Sequence, residues 1–287
     1  MKTVITAGFL FAVLFTAAPL QAKQAAIQQT EARALSGNIT AQITLADTFR
    51  AKQDIVQAKY WYRKAAEQNN PYAQNELGKL ILLSDQSVTS LQEAKVWFEK
   101  AAVQKYAPGQ VSLANVYLHL ADLNNRDSKE MELAHYWFEQ AARQNMAVAR
   151  YQLGMMFLYG EGAEQDISKA RTWFEKAASQ NQLDALYQLG VMYYRGKGCE
   201  RGDCAIARSF YERAAAQSHG PAQFYLAMMY LQGHGVAQDY EKGVALMKAS
   251  CENGEPEACP WVRNLTENED KFRQIFSGKP SSDQPPR

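Results

Sequence analysis

One phrase recurs along the chain at intervals that only a repeat architecture produces. Trp61, Trp97, Trp137 and Trp173 lie 36, 40 and 36 residues apart, each inside Ala-x-x-Trp-aromatic-x-x-Ala-Ala, opening at Ala58, Ala94, Ala134 and Ala170. Looser copies open at Ala207 and Gly243, which makes six. A period of this length is one supersecondary unit that cannot bury its apolar side alone, so neighbours must stack.

Seven residues after the second Ala of each phrase a small residue returns, at Ala73, Gly109, Ala149, Ala185, Ala222 and Ala258. Leu follows four later at Leu77, Leu113, Leu153, Leu189 and Leu226, then Gly or Ala; Ala41 and Leu45 begin the first copy in the same way. Such spacing marks one face of a helix, not the alternation of a strand. Each unit is therefore helix A, a loop and helix B. The chain is predicted to be all-α, an α-solenoid of about six stacked helix-turn-helix units with a C-terminal capping helix.

Punctuation residues agree. Gly160 and Gly162, Gly196 and Gly198, and Gly233 and Gly235 supply left-handed positions at the end of helix A in the last three units. Asp54, Ser90, Glu130, Asp166, Asp203 and Asp239 stand where helix B begins, and Ser90 to Glu93 reads as a capping box. Pro71, Pro108, Pro221 and Pro256 fall in the first turn of helix A, where a missing N–H costs little. The recurrence of Trp at one repeat position predicts core packing over ligand contact.

Residues 1–22 have the form of a secretory signal: Lys2, an apolar run from Ala7 to Ala18, Pro19, and small residues up to Ala22. That run is shorter than the roughly 20 residues needed to cross a bilayer, so no membrane-spanning segment is expected after cleavage. The predicted organisation is then a solenoid over 23–258, with units at 34–70, 71–106, 107–146, 147–182, 183–219 and 220–254. A cap over 255–276 and a disordered tail over 277–287 complete it. Residues 23–33 form a polar first helix, and Trp261, Val262, Leu265, Phe272, Ile275 and Phe276 give the cap its apolar side.

The pattern Ala-x-x-x-Leu-Gly, Tyr-x-x-Gly-x-Gly, Asp-x-x-x-Ala, Trp-Phe-x-Lys-Ala-Ala is nearly complete over Ala149 to Ala178. It resembles the Sel1-like repeats, relatives of the tetratricopeptide repeat, and the resemblance covers about residues 34–258. Copies one to three lack Gly-x-Gly, so their hairpins are expected to be joined differently. The resemblance implies an adaptor in signalling or in the bacterial envelope, or one that contacts host factors.

Cys199, Cys204, Cys251 and Cys259 allow three pairings, and an exported chain meets an oxidising compartment. Cys251 and Cys259, eight apart across a short turn, can meet; this spacing is also similar to that of the secreted cysteine-rich branch of the family. Cys199 with Cys204 would clip the fifth loop. No Cys-x-x-Cys and no zinc-like His spacing occurs, so neither metal nor cofactor is expected.

Gly-x-Ser-x-Gly, Ser-x-x-Lys, His-Glu-x-x-His and the phosphate-loop motif are all missing, and no catalytic residue is assigned. The alternative, a cell-wall-related enzyme with penicillin-binding or β-lactamase-like activity, finds no recognisable acylating serine. With 31 Lys+Arg against 30 Asp+Glu there is no basic surplus to expect for a nucleic-acid binder.

Binding is read instead from helix geometry. With Leu153 inward, Tyr151, Met155 and Leu158 point roughly 140° to 160° away at 100° per residue. The register gives one row of Ile43, Asn75, Val111, Tyr151, Tyr187 and Phe224, and a second of Asp47, Lys79, Asn115, Met155, Val191 and Met228. Both rows turn apolar in the C-terminal half. Tyr151, Met155, Tyr187, Val191, Phe224 and Met228 are therefore the candidate partner-binding groove on the concave face; the competing reading has them packing on one another. The expected protein is a periplasmic or secreted monomer that binds a protein partner.

Overall fold

The structure is a computed structural model and describes residues 25–85, 87–124, 128–195 and 203–268. Helices account for nearly all of it, and no strand occurs among the described residues. Residues 25–35 form α1. Then follow α2 (Ile39–Ala51), α3 (Ile55–Glu67), α4 (Pro71–Ser84), α5 (Val88–Val103), α6 (Ala107–Leu123) and α7 (Ser128–Arg143). The remainder are α8 (Ala147–Tyr159), α9 (Ile167–Ala178), α10 (Leu183–Arg195), α11 (Asp203–Ala215), α12 (Gly220–Gln232), α13 (Tyr240–Glu252) and α14 (Ala258–Glu267). Even-numbered helices are the A helices and odd-numbered ones from α3 the B helices.

The chain divides into two compact units, residues 1–141 and 142–287. In the first, α2, α3, α4, α5 and α6 pack each on the next, and α4 also meets α6; in the second, the same succession runs from α8 to α14. Within each unit this is the packing of an α-solenoid.

The largest fully buried side chain in each of the first five copies is the aromatic after the tryptophan position. Tyr62, Phe98, Phe138, Phe174 and Tyr211 are at most 1% exposed, and Met247 takes the place in the last copy. Trp61 and Trp97 are buried, whereas Trp137 and Trp173 are half-buried, Trp173 packing against the core of the second unit. Lys100 and Lys176 lie 4.2 and 4.3 Å over the rings of Trp97 and Trp173, a cation–π contact on the indole faces.

Asp54, Asp166 and Asp239 cap helices α3, α9 and α13 through the backbone N–H of Gln57, Lys169 and Lys242. Three other expected starts are corrected. Ser87, not Ser90, caps α5: Ser90 N–H donates to Ser87 Oγ at 3.2 Å, so no Ser90–Glu93 box forms. Glu130 sits in the first turn of α7, which begins at Ser128. Pro256 lies in the turn ahead of α14.

Gly160 and Gly233 end α8 and α12 in the left-handed conformation, with Gly162 and Gly235 also at positive φ. Gly196 and Gly198 lie outside the described residues. Where Gly-x-Gly is missing the joint is different: Gln53, at φ 60°, turns α2 into α3, while Asp85 gathers the Ser87 and Ser90 hydroxyls at 2.7 and 2.6 Å ahead of α5.

A recurrent glutamine ties one repeat to the next. Gln42, Gln74, Gln110 and Gln223 are buried, each directly after the small residue that opens helix A. Their Nε2 groups donate to the carbonyls of Ala34, Ala66, Ala102 and Ala215, at 3.0, 3.2, 3.3 and 3.2 Å. These carbonyls belong to the last turns of the preceding helices, where each accepts one backbone N–H of the turn, from Gly37, Asn69, Lys105 and Ser218, and takes the glutamine as a second donor. Gln68, Gln104 and Asn253, each at the end of the following B helix, then donate to the side-chain oxygens of Gln42, Gln74 and Gln223.

Candidate functional site

In the second unit, α8, α10 and α12 carry Tyr151 and Met155, Tyr187 and Val191, and Phe224 and Met228 at one register. All six are half-buried. Tyr151, Met155 and Leu158, expected to face away from Leu153, are each half-covered by their neighbours. The Tyr151 ring lies 5.9 Å from Phe174. Tyr187 lies 6.2 Å from Tyr211, 5.5 Å from His219 and 5.7 Å from Tyr225. Phe224 and Met228 pack on a group formed by Ala227, Leu231, Met247, Ala258 and Leu265. These side chains thus pack and present surface together.

A cavity of about 580 Å³ opens beside this row. Tyr187, Val191, Met192 and Gln188 of α10 line it with Leu158, Tyr159, Gln165 and Ile167. Tyr159 and Ile167 are 61% and 49% exposed, and the register argument did not reach them. Their signal was available: Tyr159 ends α8 ahead of the Gly turn and Ile167 opens α9, so loop geometry, not helix phase, brings them to the row.

Two phenols on this face are shifted by their surroundings. Burial pushes the Tyr151 and Tyr194 hydroxyls above their ordinary range. Tyr194 OH meets His234 Nδ1 at 3.1 Å. His219 caps α12 by accepting from Ala222 N–H at Nδ1, which leaves its Nε2–H facing Asp184 Oδ1 at 3.2 Å. That hydrogen bond is the main reason the Asp184 carboxyl is held below its usual range.

The corresponding positions of the first unit have another chemistry. Asn75, expected in the outward row, is fully buried; it accepts from Ser112 Oγ at 2.8 Å and donates to Glu76 Oε1 at 3.0 Å. Arg50 reaches Glu76 at 2.5 Å and Asp47 at 3.2 Å, and Lys79 reaches Glu76 at 2.8 Å. The hydroxyls of Tyr62 and Tyr72 both donate to Asp47. Burial, with that bond, drives the Tyr62 phenol far above its ordinary range. Opposite charges here satisfy one another, which is why a small polar residue such as Asn75 is drawn inward.

A family model for the Sel1 repeat matches residues 47–70, 71–105, 107–146, 147–182, 183–219 and 220–255. The chain belongs to the Sel1-repeat family. Sel1-repeat proteins are generally protein-interaction scaffolds, and homologues with this fold are typically non-enzymatic. One similar solved structure is a protective antigen present in uropathogenic Escherichia coli strains, described as displaying an SLR fold. The two share 29% identity with a TM-score of 0.71, over 88% of this chain and 56% of that one. The chain therefore spans little more than half of that protein's length. A Sel1 repeat protein from Oxalobacter formigenes is similar in fold, with 23% identity and a TM-score of 0.68, over 83% of this chain and all of that one. Curated proteins gave no significant match.

In the last Sel1 repeat, Cys251 at the end of α13 is bonded to Cys259 at the start of α14, with Cα atoms 4.9 Å apart. Cys204 is buried, and a methyl placed on Gly235 would come 2.3 Å from its Cβ, so the sixth loop closes directly over it. The expected pairing of Cys204 with Cys199 falls on a residue outside the described ones. The signal segment 1–22, the cap residues Phe272, Ile275 and Phe276, and the tail 277–287 also lie outside them. Among the described residues no helix is long and apolar enough to cross a membrane.

Proposed function

We propose that this Sel1-repeat protein is exported and works without catalysis as a scaffold, holding a protein partner against the face formed by α8, α10 and α12. Tyr151, Met155, Tyr187, Val191, Phe224 and Met228 are its contact residues, with Tyr159 and Ile167 at the edge of the adjoining cavity. One observation carries this reading: aromatic and thioether side chains recur at one register on three consecutive A helices and stay half-exposed. Of the same positions in the first unit, Asn75, Asp47 and Lys79 hold polar groups already engaged with neighbours. Half-exposed aromatic and Met side chains are the composition of interaction hot spots, and a contiguous stripe of them is uncommon on a face that meets only water.

Export is supported by the signal-like residues 1–22 and by the Cys251–Cys259 bond, which persists in oxidising compartments. A periplasmic or secreted location places the scaffold in envelope assembly or signalling, in host-factor binding, or in immunity against a periplasmic effector. The test is affinity capture from an envelope extract with wild type, Tyr159→Ala and Val191→Asp. Tyr159 is mostly exposed, so its variant should melt like wild type and still lose captured partner. Retention of the same partner by both variants would remove this face from the function.

A further inference from the structure

The outer faces of the B helices in the first unit carry apolar side chains that stacking does not use. Val56 and Tyr60 of α3 are 75% and 47% exposed, and Val88, Val96 and Val103 of α5 are 59%, 48% and 70% exposed. At 100° per residue each set falls within about 80° on its helix. Arg63 of α3 reaches Glu93 of α5 at 2.9 Å, and Gln104 just past α5 reaches Asn69 just past α3 at 3.1 Å, so the two faces adjoin as one strip. Tyr136, 50% exposed, repeats the Tyr60 position on α7. In the second unit the places of Val56, Tyr60 and Val103 are taken by Ser168, Thr172 and Ser179, all exposed. The fold accepts polar groups there, so packing does not account for the valines.

A ridge this exposed offers no pocket for an anchoring side chain, and it suits a broad surface better than a protein hot spot. Its charges select the surface. Together α3 and α5 hold five bases and three acids; Glu93 and Glu99 are engaged by Arg63 and Lys95 at 2.9 and 3.6 Å, and Glu67 is the third. Lys64 and Lys100 stand one turn beyond Tyr60 and Val96, with ammonium groups 5.8 and 4.2 Å from the ring centres of Tyr60 and Trp97. Lys105 is exposed two residues past Val103. Valine at the centre, tyrosine beside it and lysine at the rim follow the order in which a bilayer presents acyl chains, interface and phosphate. We propose that this strip lays the protein on an anionic phospholipid surface, without spanning it. The site is independent of the α8–α12 face.

The test is co-sedimentation of the chain from residue 23, free of the signal-like segment, with vesicles of mixed phosphatidylglycerol and phosphatidylcholine and with phosphatidylcholine alone. Light scattering of the lipid-free protein accompanies it. The mixed vesicles should bind at least about tenfold more tightly, since three lysines near a charged surface act together, and the difference should shrink in high salt. Val56→Asp should weaken that binding at least about tenfold while melting like wild type. Ser168→Asp, its counterpart in the second unit, should bind as wild type does, and Lys64→Gln with Lys100→Gln should remove most of the preference for anionic vesicles. Equal binding to the two vesicles, no binding to either, or full retention by Val56→Asp would overturn the proposal. A dimer detected by scattering and dissolved by Val56→Asp would overturn it too, by giving the strip to a second copy of the chain.

Discussion

Gly154 of α8 lies against the ring of Phe174 of α9 so closely that a methyl group on Gly154 would sit 2.4 Å from Phe174 Cε1. The same relationship joins Gly78 to Phe98 at 2.5 Å and Gly190 to Tyr211 at 2.4 Å. It explains why Leu-Gly on helix A and an aromatic after Trp on helix B recur together: the helices approach over a glycine, and the ring fills what the missing Cβ leaves.

Gly154→Ala tests this directly. In an unobstructed helix the change stabilises by about 0.5–1 kcal/mol, whereas forcing a methyl into a filled core costs about 1–3 kcal/mol. The clash should win, and the urea midpoint should fall. A rise would show that the ring has room to move.

Buried glutamines should couple in pairs. Gln74→Leu removes the side-chain donor of the Ala66 carbonyl, which keeps the Asn69 N–H at 3.0 Å, so the loss should be about 0.5–1.5 kcal/mol. Gln104→Ala should cost less, because Gln104 is exposed and reaches Gln74 Oε1 from the edge. A double-mutant cycle between them should give a coupling of about 0.5–1.5 kcal/mol. Strict additivity would mean the chain of amides has no energetic continuity.

Lys105→Gly should stabilise the protein. Asn69, Lys105, Asn145, Asn181, Ser218 and Gly254 hold positive φ at the end of successive B helices. Lys105, at φ 61°, has neither the freedom of glycine nor the local hydrogen bonding of asparagine. Relief of that strain, less the entropy glycine loses on folding, leaves a gain of about 0.5–1 kcal/mol. Thermal melting of the single variant measures it.

The Asp184–His219 contact makes a small pH-dependent contribution. The Asp184 carboxyl is held below its usual range chiefly by the hydrogen bond from His219, so the folded state favours its charged form. Its contribution is complete above the unfolded carboxylate value of about 4 and is lost as pH falls through the lower folded value. Asp184 is 52% exposed, so solvent keeps the effect of Asp184→Asn to about 0.5 kcal/mol or less at pH 7. Chemical denaturation should show the difference at pH 7 and a smaller one as pH falls below about 4.

The units, their two helices and the Asp54, Asp166 and Asp239 caps were legible because each depends on short-range chemistry repeated six times. Spacing of four marks a helix face wherever it occurs, and an Asp capping a first turn needs only its own neighbours. The glutamine chain was equally periodic, but a polar residue at a fixed position says nothing of its acceptor. Gln74 and the Ala66 carbonyl are paired by the fold of the turn between them. Ser87 displaced Ser90 as the cap of α5 for a similar reason: Asp85 engages both hydroxyls, and either serine satisfies the local rule.

What the linear order of residues determined is the all-helical repeat, its period and the family, since all three rest on contacts within one hairpin. Only tertiary packing decided that the aromatic beside each tryptophan, and not the tryptophan, is the largest fully buried group, because that turns on which helix face a glycine leaves open. It also decided that the Tyr151 to Met228 row is half-covered. Exposure is a property of two neighbouring surfaces at once, and a helical phase describes just one of them.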